Sequence, residues 1–316
     1  MTHVSAGSRT YSYLGPAGTF TEAALAQVPE AQGQTWRPVA NVAQALADVA
    51  DGTSEGAMIA IENTVEGGVS SAQDALAKTP GLRIVGEYLV PVNFVLVGPR
   101  GRTLDEVTEV AAHPVAYAQC LEWLGTHVPG HRQVIAASNV ASAIGVLDGS
   151  LPAQAAIAAP GVVDHYDVDV LAEGIGDNPD AVTRFVLVTR TVVPPKATGS
   201  DKTSLIVELP REVPGALLEM LEQFATRGIN LSLIQSRPIG DRLGRYRFVI
   251  DADGHIEDER MADALMGLKR FSPHVLFLGS YPRADKQTIE PSSRYSDQSF
   301  ADARDWLRGL LAGVDD

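Results

Sequence analysis

At 316 residues the chain is long enough to bury two or three cores. Its 25 basic residues against 39 acidic ones leave a net charge of -14, which excludes a nucleic-acid partner, because neutralising phosphates needs basic surface. A single cysteine, Cys120, excludes an internal disulfide framework and cysteine-based zinc clusters, and no metal is expected.

In chain order, apolar strand-like runs fall at 11–14, 57–61, 133–136, 154–159 and 184–189. They alternate with Ala-rich helical stretches at 20–28, 41–50, 69–78, 115–126 and 139–148, a pattern that predicts mainly parallel sheets covered by helices. The stretch "VGEYLVPVNFVLVG", 85–98, is long, extended and broken by Pro91, as a strand passing between two lobes would be. Two lobes are therefore expected, about 10–86 with 175–193 and about 87–174, with a ligand cleft between them. "VVPPKATGSDK", 192–202, has the composition of a linker, centred on 194–201. Residues 202–283 then give strand, helix, strand, strand, helix and strand, a ferredoxin-like βαββαβ unit. The remainder, 284–316, is polar, with one short helix expected over Phe300–Leu311.

Five stretches carry candidate chemistry. "YLGPAGTFTEAAL" pairs Thr19 with Glu22 as a capping box, and free N–H groups after Gly15 and Gly18 could cradle a carboxylate there. "IAIENTVEGGVSSAQDAL" ends an apolar strand directly in Glu62, Asn63 and Thr64, three hydrogen-bonding side chains at a sheet edge. "AAHPVAYAQCLEW" offers Gln119 as a polar contact; His113 before a proline suits a turn, and Cys120 beside Leu121 suits a core. "ASNVASAIGVL" starts a helix capped by Ser138 or Asn139, a second possible anion-holding terminus. Finally "NPDAVTRFVLVTR" places Thr183 and Arg184 where a buried strand begins. No dinucleotide-binding, Walker or nucleophile-elbow motif is present, so a site working without a cofactor is expected. The absence of a signal-like apolar N-terminus, or of 18 consecutive apolar residues, leads to the expectation of a cytoplasmic protein that crosses no membrane.

In this order, "YLGPAGTFTEAAL", "IENTVEGGVSSAQDAL", "HPVAYAQC" and "TRFVLV" resemble the prephenate dehydratase family, and "GALL" with "INLSLIQSRP" resembles the effector motifs of an attached ACT domain. The resemblance runs from Tyr11 to about Pro282. It implies loss of water and CO2 from prephenate to give phenylpyruvate, in a two-lobed domain like a type II periplasmic binding protein. It further implies Thr183 as the essential hydroxyl, completed by Arg184 and Phe185, with Asn63 and Gln119 in the active site. Thr19, Glu62, Thr64 and Ser138 join them as expected substrate contacts. Gly215, Ala216, Leu217, Leu218 and Asn230 would frame L-phenylalanine as effector, and paired ACT domains would make a homodimer or a dimer of dimers. Three departures from the family stand out: Ala181 and Ala72 where polar residues are usual, and Gln235 in place of a glutamate. Arogenate dehydratase and a non-catalytic amino-acid-binding paralogue are the alternatives.

Overall fold

The computed structural model describes residues 8–65, 67–191, 193–211, 213–240, 244–272, 274–288 and 290–313. The chain opens with β1 (Thr10–Leu14), α1 (Phe20–Leu25), β2 (Thr35–Val39), α2 (Val42–Asp51), β3 (Gly56–Asn63), the short β4 (Gly67–Gly68), α3 (Ser70–Lys78) and β5 (Arg83–Pro91). There follow β6 (Val95–Gly98), β7 (Glu109–Ala112), α4 (Pro114–Ala118), α5 (Leu121–His127), β8 (Arg132–Ile135), α6 (Asn139–Leu147), β9 (Ala155–Ala158), β10 (Asp169–Glu173) and β11 (Val182–Thr189). The C-terminal part holds β12 (Asp201–Glu208), α7 (Ala216–Ala225), β13 (Leu231–Pro238), β14 (Tyr246–Asp253), α8 (Glu259–Phe271), β15 (Val275–Pro282) and α9 (Asp297–Leu311).

These elements make three sheets. The first runs β2-β1-β3-β11-β5, with β4 paired to β3; the second runs β10-β6-β9-β7-β8. In each, the central pairs β1 with β2 and β3, and β7 with β8 and β9, are parallel, as alternating strands and helices require. The third is an antiparallel sheet ordered β13-β14-β12-β15. The fold class read from the sequence, two α/β lobes followed by a βαββαβ unit, is the one the chain adopts. Strand β11 returns late in the chain to lie beside β3, which brings Thr183 next to residues 120 positions earlier.

Two compact units result: one is Tyr88–Leu187 with the residues up to Ala72, the other Gln73–Glu87 with the residues from Val188 onward. In the first, Ile59, Leu25, Leu46 and Met58 fill one lobe. The second lobe's sheet carries a layer on each face, with Phe94, Leu96, Ala116, Leu124 and Ile157 in one and Val95, Val97, Ala143 and Val162 in the other. This two-sided burial explains why its strands are short, uninterrupted apolar runs rather than alternating ones. In the second unit, Leu205, Val207, Phe248 and Ile250 meet Met220, Phe224, Met261 and Leu268 of α7 and α8.

The opposite face of that third sheet is held by charge. Residues 73–87, which hydrophobic periodicity places with the first lobe, group here because Asp74 accepts from Arg237 and Arg247, both at 2.7 Å, and Glu87 meets Lys202 at 3.1 Å. Gly279 allows the closest approach: a Cβ there would stand 2.2 Å from the Ile84 carbonyl oxygen. Gln235, where a glutamate is usual, takes a 2.6 Å hydrogen bond from Gln73.

Candidate active site

Two adjoining cavities lie within the first unit. The larger, about 220 Å3, is lined by Leu14, Thr19, Phe20, Ser138, Asn139, Thr183 and Phe185 among others. The smaller, about 110 Å3, is lined by Asn63, Phe94, His113, Gln119 and again Phe20, Asn139 and Thr183. The three shared residues join the two into one site. Its walls are largely apolar: Phe20 stacks edge-on against Phe94 at 5.7 Å, and Phe185 is 2% exposed.

Thr183 is held by one strong contact. Asn63 Nδ2 donates to Thr183 Oγ1 at 2.7 Å, while Asn63 Oδ1 accepts the Val65 N–H at 2.8 Å. The second bond fixes which end of the amide faces the threonine. The threonine oxygen thus accepts from Asn63, and its O–H makes no hydrogen bond to the described residues.

The neighbours of Thr183 divide by strand alternation, since successive side chains leave opposite faces of a strand. Phe185 shares the cavity face with Thr183. Arg184 leaves the other face, where its Nη1 donates to Glu62 Oε2 at 3.1 Å, and it lines neither cavity. Glu62 is engaged with that guanidinium. Thr64 straps the start of β11, accepting the Val182 N–H at 3.0 Å through its hydroxyl and giving its own N–H to the Val182 carbonyl. Neither Glu62 nor Thr64 lines the site.

Thr19 caps α1: its hydroxyl donates to the Leu14 carbonyl at 3.1 Å and accepts from the Glu22 N–H at 3.3 Å. The anticipated reciprocal box is altered, because the Glu22 carboxylate goes to Gly18 N at 2.5 Å and to His165 Nε2 at 2.9 Å. The carboxylate cradle expected after Gly18 is thus filled from within. Gly18 adopts φ +89°, and a Cβ would stand 3.0 Å from the Val162 Cα, so glycine is required. At the other helix start, Ser138 is the cap, its Oγ accepting from Ala141 N at 3.0 Å.

Gln119 ends α4, donating to the Val115 carbonyl at 3.3 Å, and reaches the smaller cavity. His113 caps the same helix through Nδ1. Cys120 is fully buried and its thiol is pushed up to about 12, first by burial and then by Asp177. Ala181 sits in the apolar core and Ala72 is fully buried, so at neither position is a polar side chain presented. Among the described residues no group of three or more His, Cys, Asp or Glu could hold a metal, and no helix is long and apolar enough to cross a membrane.

A family model for prephenate dehydratase matches residues 11–192, and one for the ACT domain matches residues 203–270. A prephenate dehydratase of Amycolatopsis methanolica is 42% identical over 308 residues, covering 96% of this chain and 98% of the relative. The chain belongs to the prephenate dehydratase family. Its activity is the family's, a hydro-lyase reaction. The crystal structure of prephenate dehydratase from Arthrobacter aurescens, in complex with L-Phe, superposes with a TM-score of 0.92 at 51% identity, covering 96% of this chain and 99% of that one. A structure described as a quorum-quenching acylase, GqqA, is also similar: TM-score 0.78 and 29% identity, over 88% of this chain and 100% of that one.

Phe20, Phe94, His113 and Asn139 line the site without having been singled out as substrate contacts from the sequence. For Asn139 a signal existed. Ser138 and Asn139 are adjacent cap candidates, only one can cap, and the other is left for the cavity.

In the ACT domain, Gly215 takes φ +86° ahead of α7, Ala216 is buried, and Leu217 and Leu218 are 39% and 60% exposed. Asn230 Nδ2 donates to Asp253 at 2.6 Å, and Asp253 in turn pairs with Arg283 at 2.6 Å.

Proposed function

We propose that the joined cavities bind prephenate and that Thr183 assists departure of its ring hydroxyl. Electrons of the breaking bond to the ring carboxylate, which leaves as CO2, move into the ring. There they expel hydroxide from the opposite ring carbon, and the product is aromatic phenylpyruvate. One proton is consumed as the hydroxide becomes water. The observation that supports this is the contact of Thr183: with its oxygen accepting from Asn63 and its side chain lining both cavities, its O–H can serve as the donor to the leaving oxygen. The bond strengthens as negative charge grows on that oxygen, which is where a preorganised donor accelerates a reaction. Phe20, Phe94 and Phe185 exclude water and receive the ring as it becomes flat. Arg184 acts through its bond to Glu62, holding β3 against β11 so that Asn63 and Thr183 stay in register. Gln119 reaches the smaller cavity as a further substrate contact, and the Ser138 hydroxyl borders the larger.

The ACT domain is the effector module. The bound L-Phe of the Arthrobacter relative supports L-phenylalanine as effector here, with Gly215, Ala216, Leu217, Leu218 and Asn230 framing it. The exposed Leu217 and Leu218 suit a paired arrangement of two ACT domains, giving a homodimer or a dimer of dimers. Purified protein incubated with prephenate at neutral pH, beside arogenate and a no-enzyme control, should form phenylpyruvate; no product above the control would contradict the assignment. Millimolar L-phenylalanine should lower the rate, and light scattering should give the mass of a dimer or tetramer.

A further inference from the structure

We propose that Asn139 is the substrate contact for the carboxylate that survives the reaction, the one on the pyruvyl side chain. This rests on the assignment of the cavity as the prephenate site. Among the described residues Asn139 is one of three that border both cavities, with Phe20 and Thr183. Its carboxamide is unspent. Thr19, Ser138, Gln119 and Asn63 each bond to their own backbone surroundings. Asn139, in contrast, makes no side-chain hydrogen bond to the described residues: Oδ1 is a buried atom without a partner, no acceptor engages Nδ2, and a half-turn of the carboxamide, which exchanges its two ends, presents the N–H donors to an anion. A buried polar atom left unspent is costly unless something else satisfies it.

Its position says what that partner is. Asn139 is the first residue of α6, and Ser138 captures only the Ala141 N–H. The N–H groups of Asn139 and Val140 have no acceptor among the described residues, and both residues line the larger cavity. Neutral amide donors beside a helix start suit a carboxylate.

Prephenate carries two carboxylates, and chemistry chooses between them. The ring carboxylate must shed its charge as CO2 departs, so donors that stabilise it would hold back the reaction. The side-chain carboxylate keeps its charge throughout, and anchoring it costs nothing in the chemical step. The donors therefore belong to the side-chain carboxylate, and the ring carboxylate faces the apolar walls. Asn139 thus supports binding equally in substrate and transition state.

Phenylpyruvate tests this, because it retains the side-chain carboxylate and lacks both the ring carboxylate and the hydroxyl. In Asn139→Ala, KM for prephenate should rise about 10-fold or more with kcat within about 3-fold, and the competitive inhibition constant of phenylpyruvate should rise by the same factor. Asn139→Asp should weaken both further by like charge, yet melt no lower than the wild type, because a carboxylate at a helix start is favourable. Binding loss without stability loss thereby separates a substrate contact from a folding defect. The inference is overturned if KM rises while phenylpyruvate inhibition is unchanged, if neither changes, if kcat collapses at constant KM, or if phenylpyruvate does not compete with prephenate in the wild type. Failure of the cavity assignment is distinguishable: it would appear as normal turnover in Thr183→Ala.

Discussion

The candidate active-site cavity and the charged face of the ACT sheet use polar groups in opposite ways. Around the cavity the working groups are neutral: a hydroxyl, carboxamides and aromatic walls. On the sheet face, beside the neutral Gln73–Gln235 bond, most of the polar groups are ions held in pairs: Lys202 with Glu87, Asp74 with Arg237 and Arg247, and Arg283 with Asp253 and Asp285. A fixed ion suits a place where geometry must not change. A neutral donor suits a place where charge appears only transiently, since it responds to growing charge without having been buried as an ion beforehand. Even Arg184, beside the proposed donor Thr183, is paired and turned to the other side of its strand.

The largest expected effect falls on the charged face. Lys202 and Glu87 side chains are only 8% and 3% exposed, so Glu87→Ala leaves a buried ammonium alone and should destabilise by about 3–5 kcal/mol in denaturant unfolding. Replacing both partners with apolar residues should recover much of that loss; if the single substitution were as mild as the double, the ions would not be a fixed pair.

Next comes the orienter of the threonine. Asn63→Ala should lower kcat by about 10- to 100-fold with a smaller change in KM, by freeing the Thr183 proton to point elsewhere. A kcat near wild type would break the proposed division between neutral and ionic groups.

A smaller effect is tied to pH. Arg283 holds the Asp285 carboxyl down to about 2 by hydrogen bonding. A depressed folded-state pKa gives stability that is complete above the unfolded value and lost as pH falls through the folded one. The contribution should therefore fade between about pH 4 and pH 2. Asp285→Asn should flatten the stability curve in that window and leave its slope above about pH 5 unchanged. The smallest effect concerns Cys120, whose buried and elevated thiol should react with a disulfide reagent at neutral pH only after unfolding. Rapid modification of the native protein would contradict its place in the core.

Much of the fold was legible because buried parallel strands and Ala-rich helices leave strong patterns. Where the pattern was weak, strands were missed. β2, "TWRPV", lies at a sheet edge with mostly exposed side chains and a proline, so it shows no apolar run. The single helix expected over 115–126 is two, because Gln119 and Cys120 leave helical geometry between α4 and α5. In the site, Thr183 and Asn63 stood out as polar residues at the ends of apolar strands, and they meet. The separation of Arg184 from Thr183 was readable from strand alternation alone, yet motif resemblance kept the two together. The position of Glu22 was not readable, since its partner His165 lies 143 positions later in the chain and only the fold brings them within 2.9 Å.

The most direct measurement of the central claim is kcat for Thr183→Val, which keeps the shape of the side chain and removes only the O–H, set against Thr183→Ser, which keeps the O–H and removes the methyl. The account predicts that the valine variant stays folded, binds phenylpyruvate about as well as the wild type, and turns prephenate over about 10²- to 10³-fold more slowly, whereas the serine variant keeps most of its activity. A valine variant with near-normal kcat would contradict it.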